Sequence, residues 1–69
     1  MKCFMIKAYK GNEFLGYLED TDALNFVQDK EEAYVFNNSN DAMSYLDELK
    51  RNFKDYRFSL LLLDIVNED

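Results

Sequence analysis

Two runs of carboxylates are the residues of this chain best placed to do chemistry: Glu19, Asp20 and Asp22, then Asp29, Glu31 and Glu32. Paired carboxyls serve general acid–base catalysis when a cleft holds them at a fixed separation and moves their pKa values apart. Both runs read as exposed turns, and a chain of 69 residues has little room for a deep pocket. The same oxygens could ligate Ca2+ or Mg2+, but the EF-hand spacing, with its central glycine and terminal glutamate, is absent. Cys3 has no histidine to activate it, since the chain contains none, and reads as a core or interface thiol. One cysteine and no histidine also exclude an internal disulfide and a Cys/His zinc site within one chain. Gly11 and Gly16 are the only glycines, too few for a phosphate-cradling loop. We expect no enzyme activity, no cofactor and no metal. What remains for the carboxylates is recognition.

Their distribution supports that use. Residues 11 to 49 hold ten carboxylates against one cation, Lys30, a formal charge of −9 within a chain of net −6. The first ten residues carry +3 and residues 50 to 57 another +3. An acidic middle repels nucleic acid and membrane surfaces and attracts basic protein surfaces. The segment Lys50-Arg51-Asn52-Phe53-Lys54-Asp55-Tyr56-Arg57 interleaves cations with aromatics, as a nucleic-acid contact would. Its cations also suit a helix C-terminus, Phe53 suits a helix core stripe, and the −9 middle opposes a polyanion. We therefore expect no direct nucleic-acid binding. The run Leu60 to Leu63 is far below a membrane span, and no secretory leader is visible, so a cytoplasmic protein is expected.

The elements that must position these residues follow from periodicity. Residues 1 to 69 make one domain, and a core this small rarely supplies more than roughly 3–5 kcal/mol. Six Phe and five Tyr supply its apolar mass. Residues 2 to 9 read as a strand with Phe4, Ile6 and Ala8 on one face and Cys3, Met5, Lys7 and Tyr9 on the other. A turn at 10 to 13, with Gly11 free to take positive φ, returns the chain into a strand over 14 to 18. Gly16 inside that strand predicts a bulge or a close approach by another group. Short strands are expected at 24 to 27 and 33 to 36, separated by the second acidic turn at 28 to 32.

A helix is expected over about 39 to 53, capped by Asn38 or Ser39. Ala42, Tyr45, Leu46, Leu49 and Phe53 form its buried stripe. Residues 56 to 66 read as the last strand, with Phe58, Leu60 and Leu62 on one face and Leu61, Leu63 and Ile65 on the other. Apolar residues on both faces predict a central or doubly covered strand. The architecture expected is α+β: a small antiparallel sheet of four to five strands with one helix packed on one face. One helix covers one face only, so the other must meet a second copy or a partner.

Two uses of the surface follow. In the first, Glu19, Asp20, Asp22, Asp29, Glu31 and Glu32, with Asp47 and Glu48 of the helix as second choices, bind a basic protein surface. Carboxylates spread over a compact scaffold imitate the phosphates of a duplex, which carries one charge per roughly 1.7 Å of axis. In the second, the uncovered face or the last strand's edge forms a homodimer, and the acidic surface keeps it soluble. The opening KCFMIKAY, the passage AYVFNNSNDAMSYLDEL and the closing FSLLLLDIV cover about half the chain, and their layout resembles small open reading frames of phages and mobile elements. That resemblance implies a product that blocks a host or defence enzyme, as anti-CRISPR proteins do. It assigns no contact residues.

Overall fold

The computed structural model describes residues 2–64. In chain order the elements are β1 (Lys2–Lys10), β2 (Glu13–Leu18), β3 (Phe26–Val27), a 3-10 turn (Lys30–Glu32), α1 (Ser39–Asn52) and β4 (Arg57–Asp64). The four strands form one antiparallel sheet in the order β3-β2-β1-β4, with α1 across one face. The expected α+β architecture is the observed one. The expected extension of the last strand over Ile65 and Val66 lies outside the described residues.

β1 is the spine. On its helix side Ile6 and Ala8 are fully buried and join Leu18, Phe36, Ala42, Leu46, Leu49 and Phe58 in one core cluster. Burying an aliphatic or aromatic side chain of this size contributes about 1.5–3 kcal/mol, and this cluster is where the small domain concentrates its stability. The helix supplies its share through Ala42, Leu46 and Leu49, with Tyr45 and Phe53 half-buried at the margin of the expected stripe. Asn38 caps it: its Oδ1 accepts the Asn40 N–H at 2.7 Å. The helix ends one residue short of expectation, with Phe53 as C-cap.

Gly16 carries both features expected of it. Register slips between Ala8 and Tyr9, which pair with Gly16 and Phe14, so Leu15 is the extra residue of a bulge. Gly16 adopts φ 134, and a Cβ there would lie 2.6 Å from the Val27 carbonyl oxygen. The bulge has a second effect. Phe14 and Tyr17 are three residues apart and would otherwise point to opposite faces. With Leu15 looped out to the core, both lie on the face away from the helix, ring centroids 5.4 Å apart, with Tyr9 5.3 Å from Phe14.

Three expectations need correction. The third strand is only Phe26–Val27. Residues 33 to 36 form no strand. β2 leaves β1 after the Lys7–Tyr17 pair, and Phe36 alone takes its place beside Phe4, exchanging N–H···O bonds of 2.8 and 2.9 Å. Finally, β4 is apolar on both faces yet lies at the edge of the sheet. Its pairing to β1 is unbroken from Lys2–Asp64 to Tyr9–Arg57.

Candidate acidic recognition site

The first acidic run sits in the loop between β2 and β3, and that loop is laced to itself and to the helix. The Glu19 N–H donates to the Asn25 carbonyl at 3.0 Å, and the Asn25 N–H to the Ala23 carbonyl at 3.0 Å. The Asp20 carboxylate accepts the Asp22 N–H at 2.9 Å, an Asx turn of the kind this residue favours. From α1, the Tyr45 hydroxyl donates to the Thr21 carbonyl at 2.9 Å. One phenol thus ties the helix to the middle of the loop.

Three carboxylates act on the proton of that hydroxyl. The Tyr45 pKa is pushed up from its ordinary value, first by burial, then by the negative charges of Glu48, Asp20 and Asp22. Glu48 is three residues from Tyr45 and shares its side of the helix. Asp47, two residues on, projects about 200° around the helix axis at 3.6 residues per turn and is exposed elsewhere. Beside the hydroxyl lies an open cleft of about 180 Å³, lined by residues 21 to 24 of the loop and by Tyr45, Leu49 and Phe53.

The second run forms its own turn at the other end of β3. Asp29 caps it through Oδ1, which accepts the Glu31 N–H at 3.0 Å, while Glu31 and Glu32 are exposed. Gln28 anchors the approach by donating Nε2–H to the Leu15 carbonyl at 2.8 Å. The meander therefore puts the two acidic turns at opposite ends of a strand only two residues long, about 7 Å at a strand's rise. Of the eight expected residues, Asp20, Asp22 and Glu48 bear on the one Tyr45 hydroxyl, and Glu19 opens the same loop. Asp29, Glu31 and Glu32 make a neighbouring turn, and Asp47 stands apart.

The cations occupy other ground. Arg57 lies 4.9 Å over the Tyr9 ring on the face away from the helix, and Lys10 lies 5.5 Å over Tyr56. Lys50 and Arg51 end the helix. Lys10 and Arg57 thus lie toward the β1–β2 hairpin end, whereas Lys30 sits within the second acidic turn and Lys2 at the far end of β1.

Chemically, this arrangement presents ordered negative charge on bonded backbone. Among the described residues no group of three or more His, Cys, Asp or Glu could hold a metal ion. Nor is any helix among them long and apolar enough to cross a membrane. Sequence reasoning placed Tyr45 in the helix stripe and missed its part in fixing the loop; its polar tip on a buried stripe was the available signal. The sequence matches no described protein family, and neither a curated protein nor a solved structure matches it.

Proposed function

We propose that this chain is a non-enzymatic protein-binding module whose acidic β3 edge occupies a basic, nucleic-acid-binding surface of another protein. A phage- or mobile-element-encoded inhibitor of a host or defence enzyme, acting in the cytoplasm as anti-CRISPR proteins act, fits that reading. The observation that carries it is the Tyr45–Thr21 bond, with Asp20, Asp22 and Glu48 set around it. A solubilising surface has no need of a tied loop, whereas a phosphate mimic gains from one, because a preordered backbone loses less entropy on binding.

The test is capture from host lysate followed by competition. The bound protein should leave with added salt and with a nonspecific DNA duplex, since mimic and duplex would share one surface. The triple variant Asp20→Asn, Asp22→Asn, Glu48→Gln should bind the recovered target roughly 5- to 150-fold more weakly, the equivalent of about 1–3 kcal/mol for three exposed pairs. Asp47→Asn should bind as the parent does. Affinity unchanged in the triple variant, or a captured protein that duplex DNA does not displace, would refute the proposal.

A further inference from the structure

Among the described residues, β4 presents an unguarded edge. Phe4 gives both its N–H and its carbonyl to Phe36, so the Phe4–Leu62 pair is a non-hydrogen-bonded one. By alternation, β4 bonds to β1 through Arg57, Ser59, Leu61 and Leu63. Phe58, Leu60 and Leu62 then direct their N–H and carbonyl groups outward, on the side of β4 where the sheet ends. Sheet edges are usually protected by proline, a bulge, an inward-pointing charge or short length. This strand runs eight residues without a register shift, and residues 58 to 63 hold neither proline nor charge. Leu62, at 48% exposure, is the most exposed leucine on it.

We infer that the occupant of this edge is a second copy of the same chain, pairing β4 to β4 antiparallel about a two-fold axis at Leu61. Both faces fit only if even-numbered residues oppose even-numbered ones, because antiparallel neighbours share a face. Centring on Leu61 meets that condition and pairs Leu60 with Leu62 of the second copy, twice. Phe58 then meets Asp64, so the outward groups of both strands bond along their whole length. The exposed Leu62 is covered.

The strand ends agree with the antiparallel sense: β4 begins at Arg57 and ends at Asp64, so each basic start comes to a diagonal position from an acidic end, on the opposite face, and a parallel pair would not bring them together. The acidic loops belong to the opposite edge, three strand spacings or about 14 Å away, beyond the screening length of about 8–10 Å. The charge of those two loops is therefore largely screened from a second copy paired here. The other edge, β3, has two residues and cannot template a strand, so the assembly closes at two. The result is a continuous eight-stranded sheet.

The test measures mass and amide exchange on the full chain over a wide concentration range. Mass should rise from 8.2 kDa to twice that value, and the Phe58, Leu60 and Leu62 amides should gain protection in parallel. Leu62→Pro removes an outward N–H that β1 does not use, which an edge strand tolerates. It should stay folded by circular dichroism and remain monomeric. Leu62→Lys, an edge charge, should do the same. A chain monomeric at every concentration overturns the inference. So does a dimer in which these three amides exchange freely, or one that survives in a folded Leu62→Pro variant. None of these readouts involves the acidic edge, so they are independent of the proposed function.

Discussion

Replacing Gly16 by alanine should cost this protein most of its stability. Two effects combine at that position. At φ 134 the backbone sits where L-residues are strained by about 1–3 kcal/mol. The new Cβ would also meet the Val27 carbonyl oxygen at 2.6 Å, and this neighbour is backbone that no rotamer change can move. Val27 must retreat, and the strand it belongs to is held to β2 by only the Tyr17–Val27 and Leu18–Phe26 pairs. Together these should destabilise the domain by about 2–4 kcal/mol, against a total of roughly 3–5 kcal/mol for a core this small. At about 4–8 °C per kcal/mol, the midpoint should fall by about 10–30 °C. Gly11→Ala is the control. Gly11 also has positive φ, 63, but nothing lies within 4 Å of its Cβ position, so its cost is backbone strain alone, about 1 kcal/mol. Urea and thermal unfolding of both variants, followed by circular dichroism, give the comparison. Equal losses in the two would refute the close approach and leave only a shared requirement for positive φ.

Two further outcomes follow from the same contacts. The folded protein holds the Tyr45 proton more tightly than the unfolded chain does, so the unfolded chain ionises first as pH rises through the ordinary value of 10.0. Stability present below that pH should decline above it, one tyrosine should lag in a spectroscopic titration, and Tyr45→Phe should abolish the lag while raising amide exchange across residues 19–25. Asn38→Ala removes the helix cap and should cost about 1 kcal/mol in urea unfolding, with Asn38→Asp retaining most of it.

Local chemistry made the helix legible: a cap, a stripe at 3.6-residue spacing and cations in the last turn all agree over one segment. Gly16 was legible for a similar reason, since a glycine inside a strand has few other uses. What failed depended on distant partners. Residues 33 to 36 have the composition of a strand, yet whether they form a ladder depends on where β2 departs from β1, some twenty residues earlier in the chain. The apolar run of β4 was expected to make it central or doubly covered, but composition reports burial appetite and not position in a sheet. At the site, the exposure of Glu19, Asp22, Glu31 and Glu32 could be read from polar turns. That Glu48, Asp20 and Asp22 bear on one phenol could not, because it depends on a single tertiary hydrogen bond from Tyr45 to Thr21.

The pairing of β1 with β4 also sets a timetable for biosynthesis. The central strand is made first and its longest neighbour last, with β2, β3 and α1 between them. Translation proceeds at about 5–20 residues per second, so β1 waits several seconds for residues 57–64. During that interval it has only the β2 hairpin, an arrangement of marginal stability on its own. Cys3, Phe4, Met5 and Ile6 then stand on an open ladder in the nascent chain, a target for chaperones and for premature association. The native pairing of β1 is consequently complete only once residues 57–64 have been made.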